Sequence, residues 1–239
     1  MTNPKLLIVS TSTVHGKPYL SYITKTVSEF FEGCKNIAFV PYARPSGISH
    51  DTYTAKAKEV FEALGFQLKG VHEWEHPKDA AQWADGFFTG GGNTFVLTNM
   101  LYQTGLMEEI REAVKAGKPY MGTSAGSNIT GLSINTTNDM PIVYPPSFEA
   151  LGLVPFNINP HYLDPDPNSK HMGETRETRI NEFHAFNQQA VVGLREGSSL
   201  RIEGNKIELL GELPARIFQK DQKPLEVEPG ESLEFLMTP

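Results

Sequence analysis

The 239-residue sequence has a single cysteine, Cys34, and no long run of apolar residues. One cysteine cannot form an internal disulfide, and a chain without disulfides suits a reducing compartment. No segment approaches the roughly 18 consecutive apolar residues of a membrane-spanning helix, and the N-terminus lacks the basic flank and apolar stretch of a secretory signal. The sequence therefore predicts a soluble, cytoplasmic protein without a membrane partner.

Basic residues are also few: the sequence has 21 Lys and Arg against 28 Asp and Glu, which gives a formal net charge of −7. No basic stripe offsets this acidic surplus, so nucleic acid is not an expected partner. An acidic substrate would need a local concentration of positive charge. With 39% hydrophobic residues the chain can bury a sizeable core. We expect one α/β domain over residues 1–239, as a monomer or a homodimer.

Apolar strands alternate with amphipathic helices in the first half of the chain. This alternation is typical of a mostly parallel sheet covered by helices on both faces, with functional loops at the carboxyl ends of the strands. The predicted strands are 6–10, 37–40, 66–71, 87–89 and a short one before Ser124, and the predicted helices are 23–31, 53–64 and 97–114.

The second half of the chain has a different pattern. Residues 134–162 are strand-like and interrupted by prolines, and a helix over 174–186 and a strand over 191–194 follow. The C-terminal tail predicts β-hairpins, with Gly204-Asn205 as a two-residue turn.

A short strand before a cluster of small residues gives the pattern G-x-S-x-G at Gly122 to Gly126. In a nucleophile elbow, a serine in this pattern occupies a tight strand-to-helix turn, and the glycines allow close backbone approach. Ser124 is therefore the candidate nucleophile. Many such pentapeptides are ordinary loops, so further evidence has to come from elsewhere in the chain.

A second glycine-rich corner, Gly90 to Thr94, follows the predicted strand 87–89. It could cradle a phosphate, but it lacks the lysine of a P-loop and the spacing of a dinucleotide-binding loop. It could instead supply one donor of an oxyanion hole, with the residue after the serine supplying the other. The donors would then be the N–H groups of Gly92 and Ala125. A tight turn without a ligand is the third interpretation.

A nucleophilic serine needs a base within hydrogen-bond reach, and the base needs an acceptor that orients it. Among seven histidines, His161 is the strongest candidate because it follows an apolar stretch at a predicted strand end, where catalytic side chains tend to lie. His184 falls within a predicted helix and is interpreted as a surface or core histidine. Asp139, Asp164 and Glu196 could each orient the base, and spacing does not choose among them.

Two segments imitate metal-binding motifs. The sequence HEWEH at 72–76 matches H-E-x-x-H, but Pro77 disfavours the helix that would place both histidines on one face. Residues 164–168 resemble the start of a calcium loop, but Ser169 replaces the required glycine and Thr175 the bidentate glutamate. We therefore expect no metal.

Arg176 and Arg179 begin the last predicted helix with three-residue spacing, so they could share a face. A solvated helix surface is the simpler interpretation. An arginine fork is nevertheless the group best matched to a substrate carboxylate.

Six short motifs occur together along the chain, in a fixed order. They are GGGNT (90–94), GTSAG (122–126), TNDMPI (137–142), INPH (158–161), GETR (173–176) and GLREG (193–197). Their order and spacing resemble the peptidase E family, the α-aspartyl dipeptidases of serine peptidase family S51. The similarity runs from about residue 6 to residue 196, and the motifs carry it jointly.

The resemblance implies a three-layer α/β/α fold with a mostly parallel central sheet, similar to class I glutamine amidotransferases, with β-hairpins at the C-terminus. It also implies a serine peptidase whose residues occur in the chain order Ser, His, Glu. Ser124 would be the nucleophile, His161 the general acid/base and Glu196 the carboxylate that orients it.

The resemblance also assigns the residues that would bind substrate. Gly92 and Ala125 would form the oxyanion hole, and Arg176 would pair with the side-chain carboxylate of an N-terminal aspartate. Asp139 is interpreted as a structural or secondary site residue. Thr123 replaces a tryptophan of close family members, so the substrate pocket is expected to differ.

The function implied by the resemblance is hydrolysis of Asp-Xaa dipeptides through an acyl-enzyme, with a small acidic dipeptide as the partner and no cofactor. A related serine peptidase acting on another acidic or amide linkage, cyanophycinase-like or an asparaginyl dipeptidase, is one alternative. A non-catalytic binder of small acidic ligands that kept the elbow as a scaffold is the other.

Overall fold

Eleven strands in two sheets form the framework of the computed structural model, which describes residues 4–166, 168, 170 and 172–237. The strands are β1 (Lys5–Val9), β2 (Asn36–Val40), β3 (Gln67–Gly70), β4 (Gly86–Thr89), β5 (Tyr120–Thr123), β6 (Asn157–Pro160), β7 (Val191–Leu194), β8 (Ser199–Glu203), β9 (Lys206–Leu210), β10 (Ala215–Phe218) and β11 (Leu225–Val227).

Helices connect the strands of the first half and one follows β6. They are α1 (Thr24–Phe30), α2 (His50–Ala63), α3 (Ala80–Trp83), α4 (Thr94–Thr104), α5 (Leu106–Lys115), α6 (Ala125–Asn128) and α7 (Arg176–His184), with short 3-10 turns at Val71–Glu73, Pro77–Asp79 and Glu234–Met237.

The main sheet has the strand order β3-β2-β4-β5-β1-β8-β9. Its first five strands pair in parallel, and β8 and β9 extend it as an antiparallel hairpin beside β1. The turn of this hairpin is Gly204-Asn205, between Glu203 and Lys206, so the predicted hairpin is confirmed.

Successive residues of the central strands face opposite sides of the main sheet, as the period of two requires. Leu7 and Val9 pack in one buried cluster with α1 and α2, whereas Leu6 and Ile8 pack in another with α4 and α5. Each face of the sheet thus has its own helical layer. The predicted three-layer α/β/α fold with a mostly parallel sheet is confirmed.

The second sheet has the order β11-β10-β7-β6, in which β6 and β7 are parallel and the other pairs antiparallel. In the described part of the chain, no helix is both long enough and apolar enough to cross a bilayer.

Two predictions about the elements need correction. The helical pattern over 97–114 is two helices, α4 and α5, because Gly105 between them has φ +75° and turns the chain. Within 134–162, all of which the structure describes, β6 is the only regular strand. Elsewhere in this stretch, side chains satisfy backbone groups: the Arg111 Nε and Nη2 atoms, for example, donate to the carbonyls of Leu151 and Ala150 at 3.0 and 2.9 Å.

Candidate active site

Ser124 lies between β5 and α6, in a backbone conformation that residues other than glycine rarely adopt. Its φ is +54° and its ψ is −111°, a strain that costs roughly 1–3 kcal/mol and persists where the surroundings enforce it. The Ser124 N–H donates to the Val9 carbonyl at 3.1 Å, and its carbonyl accepts from Ser127 and Asn128 at 2.9 Å each. Strand pairing and the first turn of α6 therefore hold the serine at the tip of an elbow.

The two glycines of the pentapeptide are required by close backbone contacts. A Cβ at Gly122 would lie 2.2 Å from the Gly126 carbonyl oxygen, and a Cβ at Gly126 would lie 2.3 Å from the Thr89 carbonyl oxygen. Both distances are far inside van der Waals contact. The elbow can therefore form against β4 only with glycine on each side of the serine.

His161 follows β6 and points its ring at the serine. The His161 Nε2 atom lies 3.0 Å from Ser124 Oγ. The His161 backbone N–H donates to Ser10 Oγ at 3.0 Å, and the Ser10 hydroxyl donates to the Leu194 carbonyl at 2.7 Å. Ser10 directly follows β1, so it joins the main sheet to β6 and β7 at the place where the histidine emerges.

Glu196 follows β7, the parallel neighbour of β6. Because Pro160 pairs with Leu194, the residues after the two strands emerge side by side. The His161 Nδ1 atom lies 2.6 Å from Glu196 Oε1. The structure therefore brings Ser124, His161 and Glu196 into one hydrogen-bonded chain, although 37 and 35 positions separate them in sequence.

The other two candidate carboxylates have different partners. Asp139 accepts from the Thr94 N–H at 2.7 Å and from the Thr94 and Thr137 hydroxyls at 2.6 and 3.0 Å. Asp164 forms an ion pair with Arg195. Among the described residues, Glu196 is the only carboxylate hydrogen-bonded to His161.

A cavity of about 250 Å³ opens beside the serine, lined by residues that include Ser124, His161, Asp139 and Arg176. Arg176 is the first residue of α7. Burial lowers the pKa of its guanidinium, Arg179 lowers it further and Asp139 opposes the shift. No carboxylate of the described residues forms an ion pair with it, although Asp139 lines the same cavity, so Arg176 brings a positive charge to the cavity with its guanidinium donors not engaged by a carboxylate.

Arg179, the second arginine predicted on this helix face, has a different environment. It is about half exposed, lies 3.7 Å from Glu174 and does not line the cavity that contains Ser124. The two arginines therefore differ in their surroundings despite their three-residue spacing.

The glycine-rich corner lies against the serine. A Cβ at Gly91 would lie 2.8 Å from Ser124 Cβ, and Gly92, with φ +149°, packs on the Ala43 carbonyl. Ala125 lines the cavity. The loop is thus adjacent to the nucleophile candidate, and the donor roles of Gly92 and Ala125 stay predictions.

The histidines set aside in the sequence analysis have other environments. His72 lies in a 3-10 turn, and its Nε2 atom is 3.0 Å from Asp51 Oδ1. His184 is buried, with its Nε2 atom 3.1 Å from the Gln189 carbonyl oxygen. Nowhere in the described chain do three or more His, Cys, Asp or Glu side chains cluster as metal ligands would. The calcium-like segment lies partly outside the described residues.

Sequence reasoning missed Ser10 and Thr94. Ser10 bridges the two sheets, and Thr94 donates twice to Asp139. The available signal was their position: Ser10 is the last residue of a predicted strand, and Thr94 ends the glycine-rich corner that follows another, at the edge of the sheet where sites form.

The comparisons with known proteins agree with this architecture. The model of peptidase family S51 matches residues 6–210. "Peptidase E" of Streptomyces coelicolor is 51% identical over 97% of this chain and 94% of its own length. "Probable alpha-aspartyl dipeptidase" of Drosophila melanogaster is 47% identical over 97% of each chain. The crystal structure of a peptidase from an acI-B1 actinobacterium shares the fold, with a TM-score of 0.72 over 97% of each chain at 18% identity.

Fold and relatives define the class: the protein is a serine peptidase and therefore a hydrolase. The chain belongs to peptidase family S51.

Proposed function

We propose that this protein is a dipeptidase that hydrolyses dipeptides with an N-terminal aspartate, Asp-Xaa, through an acyl-enzyme. The observation that carries the proposal is the cavity in which Ser124, hydrogen-bonded to a histidine, meets Arg176, which has no ion pair among the described residues. The name of the Drosophila relative, "Probable alpha-aspartyl dipeptidase", supports the same substrate class.

In the first half of the reaction, Ser124 Oγ attacks the carbonyl carbon of the aspartyl residue while His161 Nε2 takes the hydroxyl proton. Glu196 holds the imidazole by its Nδ1–H and stabilises the imidazolium that forms. His161 then gives the proton to the leaving amine, and the peptide C–N bond breaks. The free amino acid Xaa departs and the aspartyl group stays as an ester on Ser124.

In the second half, water replaces the amine. His161 removes a proton from the water, whose oxygen attacks the ester carbonyl, and the proton returns to Ser124 Oγ as the C–O bond breaks. Aspartate is released. In both halves the N–H groups of Ala125 and Gly92 are the proposed donors to the oxyanion, and one such donor is typically worth about 10²–10³ in rate.

Arg176 is the proposed reader of the aspartate side chain. Its guanidinium can donate two parallel hydrogen bonds to a carboxylate, and the substrate would supply the ion-pair partner that Arg176 does not have among the described residues. This explains how a chain of net charge −7 can accept an acidic substrate. The cavity, at about 250 Å³, is below the roughly 300–1,000 Å³ of sites for drug-sized ligands, which favours a small peptide.

The test is a panel of Asp-Leu, Asn-Leu, Glu-Leu and β-Asp-Leu with the purified chain and Ser124→Ala. We expect preferential cleavage of Asp-Leu, and a loss on the order of 10⁵–10⁶ in kcat for Ser124→Ala with an unchanged melting temperature. Retained turnover in that variant would exclude the serine mechanism. Preference for another peptide would favour the related linkages, and no turnover together with no fluorophosphonate labelling of Ser124 would favour a binder.

The remaining parts of the proposal follow from the same residues. The steps use side chains and water and call for no cofactor. Both sheets supply residues to one site, which supports a single domain, and all these residues come from one chain, so a monomer or a homodimer would serve. Cys34 is a free cysteine, which suits the reducing cytoplasm.

A further inference from the structure

Two arginines and three carboxylates form a continuous ion-pair network next to the loops that carry the proposed active-site residues. We call this set the arginine network: Arg195, Arg216, Asp164, Glu226 and Glu177. None of these side chains lines the cavity that contains Ser124, and none takes part in the proposed proton transfers.

Arg195 is the centre of the network and is only 12% exposed. Its Nε and Nη2 atoms donate to the two oxygens of Asp164 at 2.8 Å each, and its Nη1 and Nη2 atoms donate to Glu226 at 2.8 and 3.1 Å. Nη1 also donates to the Pro214 carbonyl at 2.6 Å. The guanidinium lies 5.6 Å from the ring centre of Tyr162. Such a fork fixes the position of its partners in a way that a lysine ammonium cannot.

Arg216, on β10, continues the network to the last helix. Its Nη1 atom donates to Glu226 at 2.6 Å and its Nη2 atom to Glu177 at 2.8 Å. Glu177 is the second residue of α7 and is 29% exposed. Arg216 therefore joins the second sheet to the N-terminal turn of this helix.

Three members of the network lie within three residues of a residue of the proposed site. Arg195 directly precedes Glu196, and Asp164 lies three residues after His161. Glu177 directly follows Arg176. The Arg195–Asp164 pair thus ties together the two loops that carry the imidazole and its carboxylate, and the Arg216–Glu177 pair holds the turn that carries the arginine.

We propose that the arginine network positions the active site in two separable parts. Arg195 holds the His161–Glu196 pair in place for proton transfer, and Arg216 holds Arg176 in place for the carboxylate of the substrate. Both are positioning residues, since neither touches the reacting atoms. The inference rests on the proposed function and assigns the two arginines to different steps of that reaction.

The charge environment of the network agrees with this assignment. Hydrogen bonds from Arg195 lower the pKa of Asp164. Burial tends to raise the pKa of Glu226, but hydrogen bonds from Arg195 and Arg216 outweigh it, so this pKa is also lowered. Both carboxylates are therefore ionised at neutral pH, and the network is intact there.

The test compares Arg195→Lys and Arg216→Lys, which keep the charge but lose the fork. The matched control is Arg201→Lys, because Arg201 makes an equally short pair with Glu203 on β8, remote from the site. kcat and KM are measured for Asp-Leu, together with the rate at which a fluorophosphonate labels Ser124 and the melting temperature.

For Arg195→Lys we expect kcat and the labelling rate to fall at least tenfold while KM stays within about twofold, since a small displacement of reacting groups is costly. For Arg216→Lys we expect KM to rise at least fivefold while kcat and labelling stay within about twofold. Arg201→Lys should change none of the three.

The inference is overturned if Arg195→Lys and Arg216→Lys both behave like the control. It is also overturned if the two variants show the same change in kcat and the same change in KM. Since labelling requires no aspartate recognition, it reports the Arg195 part independently of the substrate class. If the fluorophosphonate labels the wild-type protein but Asp-Leu is not cleaved, the proposed substrate and the role of Arg216 are contradicted. The role of Arg195 would then be decided by the labelling rates alone. A wild-type chain that neither labels nor cleaves would overturn the proposed function and the inference with it.

Discussion

Replacing Arg176 by glutamine is the most direct test of how the site selects its substrate. The change removes the positive charge and the paired guanidinium donors but keeps a polar side chain at the start of α7. Thr175 caps this helix through its side chain, which accepts from the Thr178 N–H at 3.1 Å. Because the cap is untouched and Arg176 has no ion pair within the described residues, the fold should tolerate the substitution.

The magnitude follows from the lost interaction. A hydrogen-bonded contact to a charged group is worth about 1.5–3 kcal/mol, and each 1.4 kcal/mol is a factor of ten. Arg176 is half-buried, so water replaces part of the contact in the variant. We therefore expect kcat/KM for Asp-Leu to fall about 10- to 100-fold in Arg176→Gln, while kcat/KM for Ala-Leu changes less than threefold.

The assay is the ratio of kcat/KM for Asp-Leu to that for Ala-Leu, measured on wild type, Arg176→Gln and Arg179→Gln. Arg179 is the control because it lies three residues further along the same helix and pairs with Glu174 outside the cavity. Its variant should keep the wild-type ratio. An equal loss on both peptides in Arg176→Gln, or a comparable loss of the ratio in Arg179→Gln, would refute the role of Arg176 as aspartate reader.

Three further predictions concern the support of the site. Glu196→Gln should lower kcat on the order of 10³-fold, because an amide that donates to Nδ1 imposes the wrong His161 tautomer; a loss below tenfold in steady-state assays would contradict this. Ser10→Ala removes one donor and one acceptor between the two sheets and should destabilise the protein by about 2 kcal/mol, measured by urea unfolding against Ser21→Ala, an exposed serine. Asp164 and Glu226 have lowered pKa values, so their ion pairs stabilise the fold above about pH 4, and this stabilisation is lost as pH falls through the lowered pKa values. The melting temperature of Asp164→Asn should therefore fall less on acidification than that of wild type.

Much of the fold could be predicted because its signals are local. The strands of the main sheet are short apolar runs, and their helices carry an apolar face and glycine stops, so both can be detected within windows of about ten residues. The elbow also has a local signal, the pattern Gly122–Gly126, although only Gly122 is dictated by a contact within it and Gly126 is dictated by a contact with Thr89 of β4. The irregular stretch before β6 could not be predicted in this way, because side chains far apart in sequence satisfy its backbone.

The choice among Asp139, Asp164 and Glu196 shows where local signals end. All three are acidic residues near predicted strand ends, and composition does not distinguish them. The parallel register of β6 and β7, with Pro160 opposite Leu194, determines which carboxylate emerges beside the histidine. Register depends on the packed sheet, so the residue-level reasoning left the choice open, and only the family resemblance favoured Glu196.

The location of the proposed site between two sheets has a physical consequence. Ser124 belongs to the main sheet, whereas His161 and Glu196 follow strands of the second, so the 3.0 Å contact between serine and imidazole spans the junction. A rotation of one sheet against the other would break this contact before it broke either sheet. Ser10 bonds the His161 backbone across this junction, and the Arg195–Asp164 pair joins the loops that carry His161 and Glu196. Both contacts restrain the imidazole where its hydrogen bond to the serine crosses between the sheets.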